Sequence, residues 1–157
     1  MCLPFGTFTQ GARAPEAGVM TARLSAELRR QVEERAHQCC EYCLAPQELA
    51  ASRHQVDHVI AEKRGGQTTL DNLALSCTMC NRRKGSDIGS LDPNSGTLIS
   101  LFNPRTQQWS DHFQHDGVHI IGLTAEGRTT VTFLQLNAVE RLVERAEWIR
   151  AGRYPPG

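Results

Sequence analysis

Apolar residues recur at helical spacing in two segments of the chain. Leu28, Val32 and Ala36 stand four residues apart, and Ser25 can cap the N-terminus, so the pattern predicts a helix over residues 25–37. A second helix is predicted over residues 137–150. Its candidate cap is Asn137, and its apolar positions are Val139, Leu142, Val143, Ala146 and Ile149.

Residues 54–60 are predicted to form a strand. Val56 and His58 would lie on one face of this strand and Asp57 on the other. Asp57 and His58 can therefore serve one site only at a strand end or a bend. Further strands are predicted at residues 98–102, 118–123 and 129–134, the last two flanking a turn at residues 125–128.

Glycine and polar residues mark the breaks between these elements. Gly65-Gly66 predicts a turn, and residues 71–75 are expected to be a short connector. Residues 77–84 are predicted to open a helix that Gly85 can end. Two further segments are predicted to lack regular structure, namely residues 1–20, which follow no period, and residues 86–97, which are rich in Gly, Ser, Asp, Asn and Pro.

The composition excludes a membrane span and is otherwise typical of a globular protein. The chain has 157 residues, 39% hydrophobic and 22% charged, which is ordinary for a globular protein. No run reaches the roughly 18 apolar residues of a membrane span, and no secretory pattern opens the chain, so a cytoplasmic protein without a membrane partner is expected. The formal net charge of zero argues mildly against nucleic-acid binding. Basic residues nevertheless cluster at Lys63-Arg64 and at residues 82–84.

Cysteines supply the first candidate chemistry. Five of the six fall into two clusters, which in a reducing compartment favours metal binding over disulfides. Two Cys-x-x-Cys pairs can complete a closed tetrahedral zinc site, and such a site is structural. The alternatives are four unligated thiols or a redox pair. The predicted ligands are Cys40, Cys43, Cys77 and Cys80. Cys39 could replace Cys40, but the matched spacing favours Cys40, which leaves Cys2 and Cys39 as spare thiols.

Asp57 and His58 form the second candidate. The Asp57 carboxylate can bind a hard divalent cation, and a neutral His58 imidazole can take a proton from water. The pair alone is weak evidence, because a buried histidine oriented by its own hydrogen bonds fits the same two residues.

The motifs occur in a characteristic order, which is Cys40-x-x-Cys43, Asp57-His58, Gly65-Gly66, Asn72-Leu73, Cys77-x-x-Cys80-Asn81 and Lys84-Gly85. This order resembles the zinc-braced form of the HNH endonuclease motif, over residues 40–85. The resemblance implies a ββα-metal fold, in which two antiparallel strands and a helix clasp one divalent ion. It also implies metal-dependent hydrolysis of DNA phosphodiester bonds, with double-stranded DNA as the expected partner.

The resemblance also implies roles for single residues. His58 corresponds to the general base, and Asn72 to the residue that ties the loop to the strand and helps to orient that base. Asp57 and Asn81 correspond to the ligands of the catalytic cation. Many relatives carry histidine at the last motif position, and the asparagine carbonyl at Asn81 suits Mg²⁺ better than a softer metal. Zinc would only brace the site.

Several weaker candidates surround this site. Arg82, Arg83 and Lys84 could contact phosphates, or could be solvated helix surface. His54 could be a second imidazole at the site, although a structural histidine is favoured. For Arg105 and His112, a structural role is favoured over contact with DNA, with Trp109 and Phe113 covering the core.

Together these observations predict an α+β protein. A loosely ordered N-terminus (residues 1–20) would precede an HNH core with an N-terminal helix (residues 21–90). A C-terminal β-hairpin and helix (residues 91–157) would pack on that core. The alternative function is a non-catalytic, zinc-stabilised module that binds nucleic acid or protein. Monomer and homodimer both remain open.

Overall fold

The computed structural model describes residues 23–157, so the expectations for residues 1–20 and Cys2 lie outside the described residues. The helices are α1 (Ala26–Arg35), α2 (Thr78–Lys84), α3 (Trp109–His112), α4 (Ala125–Phe133) and α5 (Val139–Arg150). The strands are β1 (Gln55–His58), β2 (Leu73–Ser76), β3 (Gly89–Leu91), β4 (Leu98–Ser100), β5 (Phe113–Asp116) and β6 (His119–Gly122). Each of the three sheets is an antiparallel pair of strands. The predicted α+β class is confirmed.

The first sheet and the helix that follows it make a ββα unit. β1 and β2 pair antiparallel, with Val56 opposite Leu75 and His58 opposite Leu73. β2 was predicted to be part of a connector, which was wrong. Its Leu-Ala-Leu-Ser run lacks alternation because all four residues are buried, and periodicity alone cannot identify a strand covered on both faces. The predicted helix α1 covers this sheet, with Val32 packed in a cluster with Leu73 and Leu75.

The hairpin of the C-terminal third lies elsewhere than predicted. β5 pairs with β6, whereas residues 129–134, predicted as a strand, belong mostly to helix α4. Thr124 explains the difference, because its hydroxyl accepts a hydrogen bond from the backbone of Gly127 and caps the helix. Thr129 and Thr130 are fully buried in this helix. Their β-branched side chains therefore contribute to packing in the core, although such residues are also common in strands.

A third hairpin forms partly within the segment predicted as a loop. β3 pairs with β4, which confirms the strand at residues 98–100 and corrects the loop at residues 89–91. The connection is closed by Asp92, which accepts a hydrogen bond from Ser95 and pairs with Arg128 of α4. The Arg128 guanidinium holds the pKa of the Asp92 carboxyl well below its usual range.

The last helix is present as predicted but presents a different face to the protein. Val139 and Val143 are 74% and 60% exposed, whereas Arg141 and Arg145 are buried. The buried guanidinium groups donate to backbone carbonyls, Arg141 to Leu134 and Arg145 to Leu136. These hydrogen bonds offset the cost of burying the two charges. Asn137 does not cap the helix, since its side-chain amide pairs with the backbone of Ile120 in β6.

One buried cluster joins the segments before and after residue 90. Its members are Cys40, Tyr42, Cys43, Ala45, Val59, Ala74, Cys80, Phe102, Phe113, Ile120, Leu134 and Leu136. The indole of Trp109 packs against this cluster and donates a hydrogen bond to the backbone carbonyl of Tyr42. Within residues 23–157, no helix combines the length and apolar character that crossing a membrane requires.

Candidate functional site

The structure brings four predicted sulfur ligands together. The Sγ atoms of Cys40, Cys43, Cys77 and Cys80 all lie within 4.8 Å of one another. Cys43 Sγ and Cys77 Sγ are 3.7 Å apart. A tetrahedral zinc ion with bonds of about 2.3 Å separates its sulfur ligands by about 3.8 Å, so the cluster fits a structural zinc. Cys39 stays outside, with its thiol directed to the carbonyl of His37.

Local backbone geometry builds both halves of this cluster. In the first half, the Leu44 amide donates to the Cys40 carbonyl, and Leu44 adopts a φ of 60° that closes the knuckle. In the second half, Cys77 caps helix α2, and its sulfur accepts a hydrogen bond from the Cys80 amide. The second knuckle is therefore the first turn of α2. Asn81 is the next residue of that helix, so a metal bound by the cysteines would fix Asn81 as well.

A buried arginine from α5 faces the sulfur cluster. Arg141 Nη2 donates to Cys80 Sγ at 3.1 Å and lies 3.7 Å from Cys77 Sγ. Hydrogen bonds from the other three thiols, together with the positive charge of Arg141, hold the pKa of Cys43 well below its usual range. Four thiolates around Zn²⁺ leave a net charge of about −2, so a buried cation beside them is favourable. The amino-acid pattern gave no indication of this contact.

Asp57 is paired with a buried lysine. Lys84 Nζ lies 3.2 Å from Asp57 Oδ2 and donates to the backbone carbonyl of His58 at 2.8 Å. Lys84 is only 2% exposed, so it belongs to the interior and not to a solvated helix surface. Burial raises the pKa of Asp57, and the charge of Lys84 opposes that shift.

Asn81 faces the same strand. Its side-chain Nδ2 donates to Gln55 Oε1, which leaves the Asn81 carbonyl oxygen available to a cation. Gln55 and Asp57 are alternate residues of β1 and share one face, while Asn81 and Lys84 are three residues apart on α2 and share another. The contacts between these two faces bring Asp57 and Asn81 to one strand–helix junction.

His58 is the last residue of β1, where a strand end allows it to serve the same site as Asp57. Its Nε2 atom lies 2.9 Å from the hydroxyl of Thr68. That hydroxyl donates to Glu62 Oε1 at 3.0 Å. His58 is 26% exposed, so the ring remains accessible from solvent.

Asn72 clamps the loop that follows His58. Its amide forms a pair of hydrogen bonds with the backbone of Ile60, donating to the carbonyl and accepting from the N–H, and it also donates to the Gln67 carbonyl. The Val59 amide donates to the Asn72 carbonyl at 2.8 Å. Both ends of the loop are therefore held at one side chain.

Gly66 makes this clamp possible. A Cβ at Gly66 would lie 1.7 Å from the Ile60 carbonyl oxygen and 2.7 Å from Asn72 Nδ2. We expect Gly66→Ala to lower the free energy of unfolding by roughly 3 kcal/mol or more, because backbone must move. The matched control is Gly65→Ala, which meets no atom within 4 Å but has a φ of +91°. It should cost only about 1–2 kcal/mol, and urea unfolding of both variants tests this. Equal losses would contradict the steric argument.

The weaker candidates take separate positions. Arg82 is exposed and Arg83 half-buried, and neither forms an ion pair within residues 23–157. His54 is buried, with Nε2 at 2.8 Å from the Ala45 carbonyl, as the favoured structural role requires. Arg105 pairs with Glu41 in the first cysteine knuckle, and its burial, with the charge of Arg35, lowers its pKa to about 10.

Comparison with known proteins confirms the resemblance. Residues 40–87 match the family model described as HNH endonuclease. The chain is also similar to the Septu protein PtuB of Bacillus thuringiensis, with 27% identity over 112 residues. That alignment covers 70% of this chain but 41% of the relative, so the chain spans well under half of the relative's length. No solved structure shows a significant match to the chain.

Proposed function

We propose that this protein, whose residues 40–87 match the HNH endonuclease family, is a metal-dependent endonuclease that hydrolyses DNA phosphodiester bonds. The observation that carries the proposal is the junction between β1 and α2. At this junction Asn81 of α2 contacts Gln55 of β1, and Lys84 of α2 contacts Asp57, the neighbour of His58. The first turn of α2 holds two of the four clustered cysteines. A module that only binds nucleic acid would need the cysteines but not this set of side chains.

Asp57 and Asn81 supply the oxygen atoms that would hold one divalent cation, with Mg²⁺ as the expected ion. The buried Asp57 Oδ2 has no well-aligned hydrogen bond, although Lys84 lies close to it, and the Asn81 carbonyl is free. When bound there, such a cation would supply positive charge to stabilise the scissile phosphate and the leaving 3′ oxygen. In this proposal Lys84 does not contact DNA, because it orients the Asp57 carboxylate from the interior.

The remaining residues act on water and on the substrate backbone. His58 takes a proton from the water that attacks the phosphorus atom, and Asn72 keeps the His58 loop in place. Arg82 and Arg83, on the accessible side of α2, contact phosphates of double-stranded DNA without reading sequence. The zinc-binding cysteines have no part in the chemistry and fix the spacing of the site. Reduced thiols of this kind suit a cytoplasmic protein.

The extent of the catalytic unit is also a proposal. Residues 21–90 form the nuclease core, and residues 91–157 are an extension that completes its buried cluster.

Plasmid nicking tests the proposed function. Zinc-loaded protein should convert supercoiled plasmid to nicked or linear DNA with Mg²⁺ or Mn²⁺ and should be inactive in EDTA. Catalytic metals contribute several kcal/mol to the transition state, so Asn81→Ala should lower the rate by at least about 100-fold. That variant, purified identically, also controls for a contaminating nuclease. Folded, zinc-loaded protein that cuts neither single- nor double-stranded DNA with any metal would favour the binding module instead.

A further inference from the structure

We propose that Thr68 and Glu62 are positioning residues that set which nitrogen of His58 accepts the proton. This inference rests on the proposed nuclease function and deepens it. Neither residue was singled out by the sequence motifs, and neither lies at the β1–α2 junction where a cation would bind. They act on His58 through its Nε2 atom.

The direction of each hydrogen bond follows from chemistry. An ionised Glu62 carboxylate can only accept, so the Thr68 hydroxyl must donate its one proton to Glu62 Oε1. The same hydroxyl oxygen can then only accept from His58, at a distance of 2.9 Å. His58 therefore carries its proton on Nε2. In the neutral ring this leaves the lone pair on Nδ1, which is the atom free to take a proton from water.

Thr68 bridges the acid and the ring, because Glu62 makes no direct hydrogen bond to His58. Glu62 Oε1 lies 3.8 Å from His58 Nε2, which is too long for a hydrogen bond. The hydroxyl of Thr68 fills this gap and connects the two groups. The arrangement is a hydrogen-bonded series of carboxylate, hydroxyl and imidazole, in which the carboxylate orients the base through the Thr68 hydroxyl.

The loop that carries both residues is held in place by hydrogen bonds. Arg64, two residues after Glu62, donates from Nε to the Ser86 carbonyl at 2.7 Å. Gly66 donates its amide to the Ala61 carbonyl, and Asn72 donates to the carbonyl of Gln67 beside Thr68. These hydrogen bonds form within the protein and do not depend on DNA, so the loop that positions the base is preorganised.

Kinetics of matched threonine variants test the inference. Removing a residue that orients a functional imidazole typically lowers activity by about 10–100-fold. Thr68→Val should therefore lower kcat by that factor with KM nearly unchanged. Thr68→Ser keeps the hydroxyl and should restore most of the rate. The control is Thr69→Val, because Thr69 is exposed and its side chain caps no helix. Glu62→Leu should resemble Thr68→Val.

Long-range ¹H–¹⁵N NMR of the His58 ring gives a readout that does not need activity. At a pH where the ring is neutral, wild type should show the Nε2–H tautomer, and Thr68→Val should show a mixture. Equal kcat values for Thr68→Val and Thr69→Val, or an Nδ1–H tautomer in wild type, would overturn the inference. Wild-type protein that shows the Nε2–H tautomer but cuts no DNA would overturn the nuclease proposal and, with it, the catalytic role of Thr68 and Glu62.

Discussion

Replacing His58 by alanine is expected to lower the rate of DNA cutting by about 10²- to 10⁴-fold, the usual contribution of a positioned general base. The loss should appear in kcat, because His58 takes a proton and does not hold the phosphate. The side chain is 26% exposed and makes one hydrogen bond, to Thr68, so stability should change by no more than about 1 kcal/mol. Plasmid nicking, zinc content and thermal unfolding measure these three quantities on the same preparation.

His119→Ala is the matched control for this variant. His119 is exposed at the start of β6, outside the candidate site, and its loss should leave cutting unchanged. Equal cutting by wild type and His58→Ala would show that another group is the base, or that a contaminant cuts the plasmid. A loss of zinc together with activity would show that His58 supports the fold, and its assignment to the chemistry would then fail.

The second large effect is expected at the sulfur cluster. Structural zinc contributes about 10–16 kcal/mol in small zinc domains, against a total stability of about 5–15 kcal/mol for a typical domain. Cys40→Ser should therefore release zinc and unfold the core at room temperature. Metal analysis of the purified protein and its circular dichroism spectrum measure both changes.

The neighbouring Cys39→Ser is a closely matched control. Cys39 is also buried, but its sulfur faces the His37 carbonyl and not the cluster, so zinc should be retained and stability should fall by about 1 kcal/mol. If Cys39→Ser released zinc and Cys40→Ser did not, the ligand set would be wrong. If neither released zinc, the thiols would not form the predicted metal site.

Much of the core could be predicted because its signals are local. Each Cys-x-x-Cys pair sets the spacing of its own two sulfur atoms, and Ser25 caps α1 as expected. Helix α2 also begins after Cys77 and ends before Gly85, as predicted. In each case a residue acts on neighbours a few positions away, so the local sequence is enough to predict the feature.

The missed features depend on contacts between distant residues. The threonines of α4 favour a strand by propensity, yet the Thr124 cap and the burial of Thr129 and Thr130 produce a helix. Lys84 appeared to be a surface residue because nothing in its own helix shows that Asp57 lies beneath it. Thr68 and Gln55 could have been suspected only after the loop and β1 were placed beside His58 and Asn81.

The contact between Arg141 and the sulfur cluster has a consequence for synthesis of the chain. Cys80 and Arg141 are 61 residues apart, so a ribosome adding roughly 5–20 residues per second needs about 3–12 s to travel from one to the other. All four cysteines have been translated when that interval begins, whereas Arg141, which faces them, is translated at its end. A nascent chain can thus acquire its metal early, but the sulfur cluster gains its buried arginine only when the last helix emerges.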